Sequence, residues 1–323
     1  MRVAFLGTGH AARLHTGTMK AIAPDVERWY ASRDPARAEQ ARKEFSGHGA
    51  FGRYADALAD PSVDAVLVLV PPAFHLEWTL HALAAGKHVI LEKPPLMRSS
   101  DFDAVSDAAS RAGRQVFVAE NYFYKPLAVR LRQTIARGDL GDLRVIQINA
   151  LKRQVTGDWR DDPALSGQGA LFEGGIHWIS VLASLGLTVT RIKAVRPGRA
   201  GLDRTMVVTL EYAEGVVAIL AYSWEIGGFP SGVRWSACYG SAGTLHFETN
   251  GLIGLQTGRR RRVFVPGLVD LLGYRAMLAD FFEAIRHNRP AAYTLPMAAR
   301  DLSLVERAYR SLESFESIES LES

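Results

Sequence analysis

The sequence predicts an α/β chain in two parts: a parallel sheet wrapped by helices, then an α+β domain on a large, open-faced, mostly antiparallel sheet. Three observations predict this. From Met1 to about Glu120, short apolar runs alternate with amphipathic stretches, the rhythm of successive βαβ units. Beyond Pro126 the pattern shifts to runs with strand-like alternation and few helical stretches. The length of 323 residues exceeds one ordinary domain of roughly 100–200 residues.

In the first part, strands are expected over 3–6, 26–31, 65–70, 88–91 and 115–118, with helices over 11–23, 35–45, 74–85 and 100–112. Gly86 and Gly113 follow the last two helices as C-cap residues would, and Asp34-Pro35 opens the second as N-cap and first helical residue. In the second part a helix over 126–137 leads through a glycine-rich turn into a strand over 143–154. A helix over 170–185 follows, then strands over 191–196, 205–212, 216–225, 233–239, 244–249 and 262–265. Ala213-Glu214-Gly215 reads as a hairpin connection. The expected domains are 1–122 and 123–311. The last residues, 312–323, form four apolar-Glu-Ser triplets whose period matches neither helix nor strand, so a frayed tail is expected. With few helices to cover it, one face of the second sheet is the expected interface of a homodimer or homotetramer.

Composition excludes several classes. With 48% hydrophobic and 22% charged residues and no run of 18 apolar residues, no membrane association is expected. The start carries no secretory pattern, so a cytoplasmic protein is expected. A single cysteine, Cys238, excludes a disulfide framework and a cysteine-rich metal site, and no metal is expected. The net charge of +4 is mild. The run Arg259-Arg260-Arg261-Arg262 lies between apolar stretches and reads as a solvated turn, so no nucleic-acid partner is expected.

Directly after the first strand stands Gly7-Thr8-Gly9-His10-Ala11-Ala12, a G-x-G-x-x-A pattern. Between strand and helix, such glycines admit a pyrophosphate close to the backbone and to the helix N-terminus, so a dinucleotide is expected at Gly7, Thr8, Gly9, His10 and Ala11. An acidic residue at the end of the second strand would receive the ribose hydroxyls of NAD. This chain has Ala31-Ser32-Arg33-Asp34, with Arg37 one turn into the helix. Ser32, Arg33 and Arg37 fit a 2′-phosphate, so NADP(H) is favoured over NAD(H).

The stretch Val89-Ile90-Leu91-Glu92-Lys93-Pro94-Pro95 ends a buried strand at the sheet edge where ligands bind. Pro94 forces Lys93 out of the helical region and permits a cis bond between them. Here the chain resembles a family. Gly7 to Ala12, Pro71-Pro72-Ala73-Phe74-His75, Ala84-Ala85-Gly86-Lys87-His88-Val89-Ile90-Leu91-Glu92-Lys93-Pro94, Asn121-Tyr122-Phe123-Tyr124-Lys125-Pro126 and Gly169-Ala170-Leu171-Phe172-Glu173-Gly174-Gly175-Ile176-His177 are similar to the Gfo/Idh/MocA oxidoreductases.

The resemblance implies a Rossmann domain followed by an open-faced sheet domain, a nicotinamide cofactor and a sugar-like or cyclic polyol substrate. It implies that Val70, Pro71, His75, Glu92, Lys93 and Asn121 lie along the cofactor, with Lys93 between nicotinamide ribose and substrate. Chemically, Lys93 offers charge to a developing alkoxide, and His177 offers a proton. Glu173, four residues before His177, shares its face on a helix and can fix the imidazole tautomer. Gly174 and Gly175 leave room there for a ligand, while Tyr122, Tyr124, Arg153, Trp159 and Trp178 are candidates to wall the pocket. The family commonly carries aspartate where this chain has Glu173, and often where it has Ser180; the longer Glu173 carboxylate, a candidate catalytic residue, could meet His177, substrate or Lys93. Two other functions remain open at this level: a reductase of a non-sugar carbonyl, imine or enone, similar to dihydrodiol dehydrogenase or biliverdin reductase, and a non-catalytic NADP-binding sensor.

Overall fold

The computed structural model describes residues 1–157, 159–198, 201–227, 232–258 and 261–314. Arg259 and Arg260 of the basic run, and the triplet repeat beyond Ser314, lie outside the described residues. The strands are β1 (Arg2–Leu6), β2 (Glu27–Ala31), β3 (Gly49–Phe51), β4 (Ala65–Val68), β5 (His88–Leu91), β6 (Val116–Val118), β7 (Leu143–Leu151), β8 (Val189–Val195), β9 (Thr205–Tyr212), β10 (Val217–Ser223), β11 (Trp235–Gly240), β12 (Gly243–Glu248), β13 (Gly254–Gln256) and β14 (Arg262–Phe264). The α-helices are α1 (His10–Ile22), α2 (Pro35–Glu44), α3 (Tyr54–Ala59), α4 (His75–Ala84), α5 (Asp101–Ala112), α6 (Asn121–Tyr124), α7 (Pro126–Ala136), α8 (Pro163–Ser166), α9 (Ile176–Ala183), α10 (Tyr274–Arg286) and α11 (Leu295–Arg310).

The chain divides into two units. The first comprises Met1–Tyr124, Ala164–Gly167 and Gly273–Ala299; the second comprises Lys125–Pro163, Gln168–Leu272 and the chain from Arg300. The chain thus returns to the first unit twice after the crossing expected near residue 122. That return supplies α10, whose buried residues Met277, Leu278, Phe281 and Phe282 repeat at helical spacing, with Phe281 stacked 5.0 Å from Phe117. The expectation of strands alone after residue 185 missed this helix and α11.

In the first unit all six strands are parallel, in the order β3-β2-β1-β4-β5-β6. The order reverses between β1 and β4, the switch point at whose strand C-termini doubly wound sheets bind ligands. Ala65–Val68 is buried throughout, as a strand covered on both faces must be. Local punctuation behaves as read: the Asp34 carboxylate accepts the Ala36 N–H at 2.9 Å ahead of Pro35, and Gly113 ends α5 at φ 60°. The three-residue β3 and the short α3 escaped the reading because neither is long enough to show a period.

The second unit carries an eight-stranded sheet, ordered β14-β13-β12-β11-β7-β10-β9-β8. Its pairs are antiparallel except β7 with β10. One registered row runs Ile219, Gln147, Ala237, His246, Leu255, Val263 across six strands. On that face Ile219 is 37%, Leu255 44%, Val263 68% and neighbouring Trp235 54% exposed, whereas Ile146, Leu220, Cys238 and Leu245 on the opposite face are fully buried. Among the described residues, no helix is long and apolar enough to cross a membrane, and no group of three or more His, Cys, Asp or Glu side chains could hold a metal ion.

Candidate active site

The first unit builds an anion cradle after β1. Gly7 has φ +127°, donates its N–H to the Ala31 carbonyl at 3.1 Å, and would place a Cβ 2.9 Å from the Leu69 carbonyl oxygen, so only glycine fits. Gly9 caps α1 without a side-chain hydrogen bond, no acidic residue lies in the first turn, and a Cβ there would meet open space. The positive end of α1 thus carries no acidic side chain in its first turn, an arrangement that can receive an anion beside Thr8, His10 and Ala11. At the end of β2, Ser32 is buried and its hydroxyl accepts the Asp34 N–H at 3.2 Å. Asp34 is occupied in capping α2, while Arg33 and Arg37 are exposed, the latter 3.7 Å from Asp34.

The turn after β5 holds Lys93 from below. One Glu92 carboxylate oxygen meets His15 Nε2 at 2.8 Å, and the other accepts the Lys93 N–H at 2.7 Å. Burial pushes the Glu92 carboxyl up. The hydrogen bond and charge of His15, then Lys93 and its backbone N–H, outweigh burial and leave the carboxyl below the usual carboxylate range. Lys93 itself is half-buried, and the Lys93–Pro94 bond is cis. His75 lies on the other side of the turn. Its Nδ1 faces the Pro94 and Pro95 carbonyls at 2.9 and 3.1 Å, and its Nε2 faces the Val70 carbonyl at 2.7 Å. Burial holds the His75 ring below its ordinary pKa against those carbonyls and Glu92.

His75 is 1% exposed with both ring nitrogens facing backbone carbonyls, and both Glu92 oxygens have partners within the fold, so the two side chains shape the lysine turn. His15 was missed, although its place on the buried stripe Ala12, His15, Thr16, Met19 of α1 was a signal: a histidine on an apolar face needs a polar partner. Of the remaining expected residues in this unit, Val70 and Asn121 are buried and Pro71 and Tyr122 half-buried. Tyr124 is buried as well. Its hydroxyl donates to Asp280 at 2.7 Å and accepts the Tyr293 N–H at 3.1 Å, so it braces this unit's interior.

The second unit carries Glu173 and His177 on a helix that is not uniform. Leu171–Gly175 is a π-helix that continues into α9, where one continuous α-helix was expected. A π turn is wider than an α turn, which brings residues four apart closer to eclipse, and such turns recur at functional sites. Glu173 is 6% and His177 8% exposed. Arg160, which the sequence reading passed over, places Nε 3.3 Å from the Glu173 carboxylate and lies 4.6 Å over the Trp159 ring. Gly174 and Gly175 do not leave room for a ligand: added Cβ atoms would stand 2.1 Å from the Tyr222 hydroxyl and 2.7 Å from Leu171 Cδ1. Trp178 is buried, with Lys125 Nζ 5.9 Å from its ring, and Arg153 is exposed in an isolated bridge to Glu225.

Residues 1–120 match a family model described as an oxidoreductase family with an NAD-binding Rossmann fold, and residues 128–246 match the GFO/IDH/MocA C-terminal domain. The chain belongs to the Gfo/Idh/MocA oxidoreductases. A D-xylose 1-dehydrogenase (NADP(+)) of Haloferax volcanii is 33% identical over 199 residues, 60% of this chain and 61% of that protein. The trans-1,2-dihydrobenzene-1,2-diol dehydrogenase of Sus scrofa is 32% identical over 192 residues, 58% and 56% of the two chains. The matches thus span about three fifths of these relatives. Among solved structures, an aldose-aldose oxidoreductase from Caulobacter crescentus superposes with a TM-score of 0.86 at 20% identity, covering 97% of both chains, which shows the shared fold.

Proposed function

We propose that this Gfo/Idh/MocA protein is an NADP-dependent oxidoreductase that moves hydride between nicotinamide and a carbonyl or hydroxyl carbon of a sugar-like or cyclic polyol substrate. The observation that carries this reading is the lysine turn: a cationic side chain whose backbone is fixed at the C-terminal end of β5 by a buried carboxylate. When bound, the nicotinamide supplies or accepts the hydride. Reduction leaves negative charge on the substrate oxygen, which the Lys93 ammonium stabilises and the His177 imidazole protonates. Glu173 orients His177, and Arg160, 3.3 Å from its carboxylate, pairs with Glu173. In oxidation the same imidazole takes the hydroxyl proton. Asn121, Tyr122, Arg153 and Trp159 are proposed to border cofactor and substrate.

Ser32, Arg33 and Arg37 support NADP, since a hydroxyl and two guanidinium groups suit a phosphate, and the Asp34 carboxylate beside them is engaged by the Ala36 N–H and faces Arg37. The NADP(+)-dependent xylose relative agrees. The dihydrodiol dehydrogenase relative favours a second reading, an aryl or other non-sugar substrate. NADPH oxidation recorded across keto-sugars, inosones and aryl ketones decides between them: keto-sugars or inosones should be turned over fastest, and turnover of aryl ketones alone would reverse the order. Absence of turnover with all three, alongside tight NADPH binding, would favour a sensor. The apolar row on the open sheet face is proposed to be covered by a second copy of the chain. Light scattering should report a dimer or tetramer at micromolar concentration; a monomer would refute this.

A further inference from the structure

The helix that carries Glu173 and His177 has no cap of its own, because Ala170 at its N-terminus offers no side-chain hydrogen bond. A helix N-terminus leaves N–H groups that must find acceptors when buried. Here each finds one. The Ala170 N–H donates to the Asp203 carbonyl at 2.8 Å and the Leu171 N–H to Asp203 Oδ2 at 2.9 Å. The Phe172 N–H donates to the Tyr309 hydroxyl at 3.2 Å and the Glu173 N–H to the Gly169 carbonyl at 3.1 Å. Tyr309 in turn donates to Asp203 Oδ1 at 2.6 Å. An aspartate 32 residues downstream and a tyrosine from α11 thus act together as a remote cap.

The surrounding sequence is fitted to this contact. A Cβ on Gly169 would stand 2.2 Å from both the carbonyl oxygen and Oδ1 of Asp203, so glycine is what lets the aspartate reach the helix end. Asp203 is 4% exposed, and burial raises its carboxyl against the Tyr309 hydroxyl and the backbone N–H groups. A buried carboxylate is costly unless its oxygens are satisfied, and a helix N-terminus is a favourable place to satisfy them. The π turn inserts its wider step directly after these bonds, so the direction in which Glu173 leaves the helix is set by where Asp203 and Tyr309 hold its start.

We propose that Asp203 and Tyr309 are positioning residues that fix the π turn bearing Glu173 and thereby the setting of His177, an inference that rests on the catalytic roles given above. Three measurements on Tyr309→Phe test it, because this change keeps the ring and removes only the hydroxyl. NADPH affinity, read by fluorescence titration, should be unchanged, while kcat on the fastest compound of the carbonyl panel should fall about tenfold, since small misplacements of reacting groups are costly in rate. The NMR signals of the His177 ring, assigned with His177→Ala, should shift, because the ring is carried by the turn that Tyr309 helps to hold. In a Glu173→Gln background, Tyr309→Phe should lower kcat by less than about twofold further, as expected when one residue acts through the other.

Wild-type kcat and unmoved His177 ring signals in Tyr309→Phe would overturn the proposal, as would full multiplication of the two losses in the double variant. Asp203→Asn, which keeps the shape and weakens the acceptor, should reproduce the loss if it folds; Tyr309→Phe carries the test if it does not. Should His177→Ala itself retain wild-type turnover, the catalytic reading falls. The His177 ring signals then still decide the positioning claim: displaced signals uphold it and unmoved signals overturn it.

Discussion

The turn that holds Lys93 and the turn that holds Glu173 solve one problem in opposite ways. The first starts from an adjacent contact, Glu92 to the Lys93 N–H, and adds His75 from 19 residues away and His15 from 77. The second has no local cap and depends on Asp203 and on Tyr309, whose hydroxyl meets an N–H 137 residues away in sequence. A charge placed at a strand end can be fixed by the residues that end the strand. A helix start that must be buried has to draw acceptors from wherever the fold supplies them. The first arrangement concentrates its cost of failure in one buried pair, whereas the second spreads it over several bonds.

That contrast can be broken at either end. Glu92→Ala leaves the buried His15 ring and the Lys93 N–H without their acceptor, so equilibrium denaturation should show a loss of about 3–5 kcal/mol, the cost of two hydrogen bonds to a charged group. The pH dependence has a definite sign. The folded Glu92 pKa lies below its ordinary value of about 4.3, so its contribution is complete above that value and disappears as pH falls through the folded one. The stability gap between wild type and Glu92→Gln should therefore be wide at neutral pH and close below about pH 4. A gap independent of pH would remove the ionised Glu92 carboxylate from the account.

Gly169→Ala probes the other turn. Its Cβ must displace Asp203, and the expected cost is about 1–3 kcal/mol, smaller than for Glu92→Ala because the Tyr309 hydroxyl and Gly169 carbonyl can still hold part of the helix start. A thermal or urea transition unchanged from wild type would mean that Asp203 is not needed there. Arg33→Ala then compares two local turns within the first unit. It should weaken NADPH binding by roughly 10–100-fold, the worth of one charge-assisted hydrogen bond, and leave NADH binding alone. Equal losses for both cofactors would place Arg33 against adenine or structure instead of phosphate.

The same contrast explains what the sequence made legible. The strand His88–Leu91, the Asp34 cap and the Gly113 stop were readable because each signal lies beside the feature it controls. The parallel sheet followed from the rhythm of short apolar runs and helices. Asp203 was not readable as a cap, since nothing within its own stretch marks it as partner to an N–H 32 residues earlier. Gly174 was misread for a related reason: the Tyr222 hydroxyl it accommodates arrives from β10, and a glycine does not announce what approaches it. Arg160 escaped because a lone arginine in a short loop has no pattern; only its distance to Glu173 distinguishes it.

The central claim is that Lys93 and His177 carry the carbonyl chemistry together. It is tested most directly by single-turnover hydride transfer from NADPH deuterated at the transferred position, compared among wild type, Lys93→Met and His177→Ala. The account predicts that each variant slows the isotope-sensitive step by roughly 10²–10⁴-fold, the worth of a placed proton-transfer group, with NADPH affinity preserved. Wild-type rates of that step in both variants would contradict it.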